Sequence, residues 1–183
     1  MRAFWERGFD AVSIADLTAA LTIGPPSLYA AFGDKKTLFR EVVDRYAGTH
    51  GAFSDRAMAE EPTAERAVRR LLTEAAVEYT RPGRPRGCLV ISAAVNCSPE
   101  SADVQDLLRQ RRNANVAQLE RLVRRDIRAG RLPRGTGARG LAVFVAATLQ
   151  GMSQQARDGA STADLRAVAD AAMRAWPADA APA

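Results

Sequence analysis

Residues 13–36 are punctuated so closely that they admit only short helices meeting at sharp turns. Pro25 and Pro26 stand side by side in their middle. A helix tolerates proline in its first turn, where an absent N–H costs little, and not in its interior. The pair therefore marks a helix start, with Leu28, Tyr29 and Phe32 following at helical spacing. Upstream, Ser13 with Asp16 three residues on has the form of a capping box, and Ile14, Leu17 and Leu21 make an apolar face. Downstream, Gly33 ends the second helix and Asp34 caps a third. Two short helices joined by a tight turn, with a third directly after, are the geometry that seats one helix in the DNA major groove.

The remaining chain reads as helical almost throughout. Strand-type alternation is absent, and Ala, Leu and Arg dominate. Residues 2–7 form the end of a helix closed by Gly8. A longer helix starts at Lys35 and breaks near residues 48–51 on its way to Glu60. Pro62 and Thr63 start another, with Val68, Leu71, Leu72, Ala75 and Tyr79 on one stripe. Residues 81–85 form a Pro/Gly/Arg loop. Residues 88–96 are short and apolar. They fit either a strand or a buried helix, and the helical surroundings favour the helix. Ser98 and Pro99 open a long helix to about Ala129, residues 130–135 break the chain, and Leu141, Phe144, Val145, Thr148, Leu149 and Met152 repeat at helical spacing. Ser161 with Asp164 starts the last helix, which ends near Trp176 and Pro177, and a frayed tail is expected over residues 178–183.

Charge gives a mixed signal. The 183 residues carry a net charge of +5, which permits a nucleic-acid partner. The first 50 residues are nevertheless balanced, with Arg2, Arg7, Lys35, Lys36, Arg40 and Arg45 against Glu6, Asp10, Asp16, Asp34, Glu41 and Asp44. No apolar run reaches the roughly 20 residues that span a bilayer, and no signal peptide opens the chain, so no membrane partner and a cytoplasmic location are expected. Cys88 and Cys97 are too few for a disulfide framework and read as buried small residues. With His50 they lack metal-type spacing, so no metal and no cofactor are expected. His50 reads as solvated. Gly135, Gly137 and Gly140 fit the dinucleotide fingerprint, but no apolar strand precedes them, and an interhelical loop is the expectation. No nucleophile elbow, Ser/His/Asp set or paired-carboxylate pattern stands out, so the chain does not read as an enzyme. Arg109, Arg111, Arg112, Arg121, Arg124, Arg125 and Arg128 read as a solvated helix face with Glu120 and Asp126 as partners.

Phe4, Gly8, Phe9, Ser13, Ile14, Leu17, Ile23, Ser27, Leu28, Tyr29, Phe32, Lys35, Leu38 and Phe39 resemble the signature of the TetR family of bacterial transcriptional regulators. The Leu-Tyr-x-x-Phe-x-x-Lys core is its most specific part. The resemblance covers about a quarter of the chain, with a looser likeness through Arg86, Gly87, Cys88 and Leu89. It implies an all-α fold: an N-terminal helix-turn-helix head of three helices, over residues 1–47, and a C-terminal helical body for ligand binding and dimerisation, over residues 48–183. Met1 falls inside the family's first helix, so that helix is expected to be truncated.

The resemblance also implies roles. Ser13 would meet a phosphate with its hydroxyl and neighbouring N–H groups. Ser27 and Ala30 would face the groove beside Pro25 and Pro26. Tyr29 would reach the DNA backbone, and Lys35 and Lys36 would contact phosphate. Gly24, Pro25, Pro26, Ala30 and Ala31 depart from the family's usual polar residues, so few base contacts and a predominance of phosphate contacts are expected. The implied function is a ligand-responsive repressor on a double-stranded DNA operator, released by a small-molecule effector. The rival is a helical ligand-binding and dimerisation protein without DNA binding. Leu72, Ala76, Tyr79, Val95, Asn96, Val116 and Leu119 are the expected walls of an effector cavity of a few hundred Å3. Leu141, Phe144, Val145, Leu149 and Met152, with Leu165, Val168, Ala172 and Trp176, are the expected homodimer face, a four-helix bundle across the twofold.

Overall fold

The computed structural model describes residues 1–177, and the expectation for residues 178–183 lies outside them. Among the described residues the chain is all-helical. The N-terminal helices are α1 (Arg2–Arg7), α2 (Ile14–Leu21), α3 (Pro25–Phe32) and α4 (Lys35–Gly48). The body follows as α5 (Ala52–Glu60), α6 (Ala64–Thr80), α7 (Leu89–Ser92), α8 (Ala102–Arg128), α9 (Ala138–Arg157) and α10 (Thr162–Arg174), with one 3-10 turn at Pro99–Ser101.

Local chemistry sets most of these boundaries. Ser13 and Ser161 each close a full capping box, with Asp16 and Asp164 respectively. Asp34 and Thr63 accept from the N–H groups of Thr37 and Arg66 at the starts of α4 and α6. Pro25 and Pro26 fill the first turn of α3. The turn between α2 and α3 is made by Thr22 at φ +55°, a left-handed conformation that a β-branched residue adopts under strain. The glycine-rich stretch at residues 135–140 is a loop running into α9, as expected.

One continuous core runs from Phe4 in α1 to Met173 in α10. Phe4, Phe9 and Phe39 pack edge and face within the N-terminal helices, with ring centroids 5.1–6.0 Å apart. In the body, α6 packs on α5, α9 and α10, and α8 packs on α9. Asp126 is fully buried at the start of α6, where it accepts from the Ala64 N–H at 2.6 Å and from Arg125 and Arg131. Residues 88–96 correct the expectation of a longer buried helix. The helix is only four residues, Leu89–Ser92, and the chain then turns outward.

Candidate nucleic-acid interface and body cavity

α3 is held by its inner face. Leu28 is completely buried, while Pro25, Pro26, Ser27, Tyr29 and Ala30 are exposed. Tyr29 keeps 47% of its surface in solvent. The first turn offers little to an anion. Pro25 and Pro26 have no N–H, and those of Ser27 and Leu28 are taken by the Gly24 carbonyl at 3.1 and 3.2 Å. The outer face therefore has two side-chain donors, the hydroxyls of Ser27 and Tyr29, set among apolar surface.

The other expected phosphate contacts are occupied. The Ser13 hydroxyl donates to Asp16 Oδ2 at 2.6 Å and accepts from the Asp16 N–H at 3.0 Å. These Ser13 hydrogen bonds, with a lesser contribution from Arg7, hold the Asp16 carboxyl at a pKa of about 2. The start of α2 thus carries its own anion, and in this DNA-free structure the Ser13 hydroxyl is engaged with it. Lys35 folds back over the Phe9 ring, 4.3 Å from its centroid. Burial lowers its pKa, and the nearby Asp10 works against that. Lys36 donates to Asp103 at 2.7 Å and to the Glu100 carbonyl at 2.8 Å, and Arg40 joins it on Asp103 at 3.4 Å. Both lysines are partly exposed and, in this DNA-free structure, each rests on a partner within the chain.

The partners of these groups come from the segment between α7 and α8. Phe9 N–H donates to the Ala93 carbonyl at 2.7 Å. Asp10 accepts from Ser98 N–H and Ser101 Oγ, each at 2.6 Å, and these bonds lower its pKa. Residues 93–103 therefore strap the head to the body. Sequence reasoning missed the strap, since nothing at Asp10 or Asp103 announces a partner far along the chain.

Beneath α7 lies a cavity of about 120 Å3 lined by Tyr46, Phe53, Leu71, Tyr79, Cys88, Val90, Ile91, Arg112 and Leu149 among others. A smaller compartment of about 50 Å3 adjoins it and reaches Leu119. Of the expected walls, Tyr79 lines the first and Leu119 the second. Leu72, Ala76 and Val116 are buried in packing outside both. Val95 is 54% exposed and Asn96 is also on the surface, because the chain has already turned out of the body there. The volume is below the few hundred Å3 expected. Tyr46, Tyr79 and Cys88 meet at the cavity wall. Burial raises all three of their pKa values, so the two phenols and the thiol are neutral at pH 7. His50, expected in solvent, instead packs on Trp5 with Arg84 at 2.6 Å.

The expected dimer face is split. Val145, Met152, Leu165 and Ala172 are buried within the chain, and Leu141, Leu149 and Trp176 are partly covered. Phe144 and Val168 remain exposed, at 40% and 38%. The free stripe on α9 is Gly140, Phe144, Ala147 and Gly151, which repeats at helical spacing and is exposed throughout. No helix among the described residues is long and apolar enough to cross a membrane.

A short-turn helix pair with one buried and one presented face, carried on a helical body with a small internal cavity, defines a helix-turn-helix regulator. The comparisons with known proteins give the family. Residues 1–42 match the bacterial regulatory proteins of the tetR family, and residues 64–172 match the tetracyclin repressor-like C-terminal domain. The chain belongs to the tetR family of transcriptional regulators. It is 34% identical over 178 residues to the HTH-type transcriptional repressor ComR of Escherichia coli K12, covering 97% of this chain and 85% of that one. It is 34% identical over 167 residues to the repressor BdcR of the same organism, covering 91% and 79%. Among solved structures, a cysteine mutant of the TetR family regulator CifR, complexed with 26-bp double-strand operator DNA, superposes with a TM-score of 0.91 at 42% identity. That match covers 96% of this chain and 92% of that one.

Proposed function

We propose that this chain is a cytoplasmic homodimeric repressor that binds a double-stranded DNA operator and is released by a small-molecule effector in the body. The observation that carries the reading is α3, locked by Leu28 with its Ser27 and Tyr29 hydroxyls turned outward. Kinship with ComR, BdcR and DNA-bound CifR supports it. Two copies joined along α9 and α10 would set two α3 helices against successive major grooves, about 34–36 Å apart. An effector that favours one spacing of the heads over another would then control binding. The division into a DNA-reading part at residues 1–47 and a sensing part at residues 48–183 is one of task, since the core runs through both. The cavity beneath α7, which the strap at residues 93–103 connects to the head, is the effector site.

The occupied lysines favour a second reading, a ligand-binding dimer that has lost DNA. One titration separates the two. Fluorescence anisotropy with the duplex upstream of the protein's own gene is expected to give saturable binding, competed by unlabelled operator and poorly by random duplex. Equal affinity for both duplexes overturns the repressor reading.

A further inference from the structure

Resting on the effector reading, the geometry points to a more specific ligand. We propose that the cavity beneath α7 takes a compact carboxylate of about five or six non-hydrogen atoms, gripped by the Arg112 guanidinium and the Tyr79 phenol.

Size comes first. An enclosed space of about 150 Å3 accepts benzene. The cavity here, at about 120 Å3, accommodates slightly less. Phe53, Leu71, Ile91 and Leu149 supply apolar wall for a short carbon chain.

Charge decides the head group. Arg112 enters the lining from α8 and is partly buried, enough that desolvation lowers its pKa. Its only hydrogen bond among the described residues is from Nη1 to the Val90 carbonyl at 2.8 Å, and no carboxylate pairs with it there. Its neighbours on α8 differ: Arg111 pairs with Asp44, and Arg109 with Asp106 at 2.9 Å. A guanidinium has five N–H donors in a fork that matches a carboxylate. Holding it half-desolvated with one neutral acceptor is costly, and an incoming anion repays that cost.

The other polar atoms in the wall agree. The Tyr79 and Tyr46 phenols line the same cavity, and each hydroxyl can donate to a carboxylate oxygen. The one acid in the lining, Asp55, is solvent-exposed at the rim. Ser54 and Asn115, also in the lining, are neutral and can donate or accept, so Arg112 is the lining cation without an ionic partner among the described residues, which disfavours amines and selects acids.

The test is calorimetric titration at pH 7.5 of the full chain with propionate, butyrate and isobutyrate, each against its amide. At least one acid is expected to bind tenfold or more tightly than its amide. Arg112→Gln is expected to erase that difference, and Arg112→Lys to keep part of it. Tyr79→Phe, which preserves the ring and the fold, is expected to weaken the acid several-fold while leaving the amide unchanged. Equal binding of acid and amide, absence of binding by all three acids, or undiminished discrimination by Arg112→Gln overturns the proposal. A parallel operator gel-shift separates this from the effector reading. Amides that bind as well as acids and release DNA would sink the carboxylate and leave the effector site standing. Acids that bind through Arg112 without changing DNA affinity would do the reverse.

Discussion

Lys36, in the second position of α4, donates to the Asp103 carboxylate at 2.7 Å across the junction between head and body. The ion pair is partly exposed on both sides, at 37% and 44%. Exposed pairs of this kind are worth about 0.2–1 kcal/mol, little enough for a DNA phosphate to compete for the lysine. Asp103→Asn is expected to strengthen binding to operator and random duplex alike and to steepen the salt slope by about one unit per half-site. Anisotropy titrations from 50 to 200 mM salt check this, and an unchanged slope refutes it.

Lys35 behaves differently. Its ammonium rests on Phe9 beside Asp10, inside the contact that fastens the strap. Lys35→Ala is expected to lower thermal stability by about 1 kcal/mol through the lost cation–π contact, with a smaller effect on the salt slope than Asp103→Asn. Melting curves and salt titrations on the two variants separate these roles.

Two left-handed backbone positions call for opposite substitutions. Gly87 sits at φ +77°, and a Cβ there would lie 2.7 Å from the Ser153 carbonyl oxygen. The close approach lets Cys88 N–H donate to Ser153 Oγ at 2.9 Å, which anchors the cavity wall to α9. Gly87→Ala is expected to cost about 2 kcal/mol or more. Thr22 holds φ +55° with a β-branched side chain, and Thr22→Gly is expected to gain about 1 kcal/mol after the entropic cost of glycine. Denaturant midpoints at constant m-value measure both.

His50 gives a pH dependence near neutrality. Burial first, then the Arg84 guanidinium, holds its folded pKa below the ordinary 6.5, with Arg81 reinforcing and Glu78 opposing. Between 6.5 and that lower value the unfolded chain binds more protons, so stability falls as pH falls through the window and levels off below it. Asp16, held at about 2, gives up its contribution only at pH values below its ordinary 3.8. A drop in melting temperature from pH 7.5 to 5.5 is therefore expected, and His50→Gln should reduce it. A parent whose melting point is constant over that range contradicts the assignment.

What could be read from the sequence divides by distance along the chain. The capping boxes at Ser13 and Ser161, the paired prolines, Gly33 and the caps Asp34 and Thr63 all act within four residues, and each boundary they set is where expected. The partners of Lys36 and Asp10 lie on the far side of the chain, and no local pattern encodes them. The face of α9 was equally hidden. Apolar or small residues surround that helix, so periodicity alone does not say whether Val145 or Phe144 turns inward. Val95 is expected in the cavity wall on the reading of residues 88–96 as a buried helix, but the chain leaves the body after one turn of α7.

The stripe Gly140, Phe144, Ala147 and Gly151 bears on the proposed dimer. A Cβ added at Gly140 or Gly151 would touch nothing within 4 Å, so neither glycine is needed to pack the single chain. Glycine inside a helix costs about 0.5–1 kcal/mol relative to alanine, and a close neighbour outside the chain would offset that cost. Phe144 between them, with Val168 on α10, supplies apolar surface for such a contact. Gly151→Leu and Phe144→Asp are each expected to leave helicity intact and shift the protein toward monomer at micromolar concentration. Their operator affinity should fall in parallel, since a lone head covers one half-site. Sedimentation velocity beside circular dichroism reads both effects. Variants that remain fully dimeric would move the interface elsewhere on the body, whereas a parent that sediments as a monomer would remove the dimer from the proposal altogether.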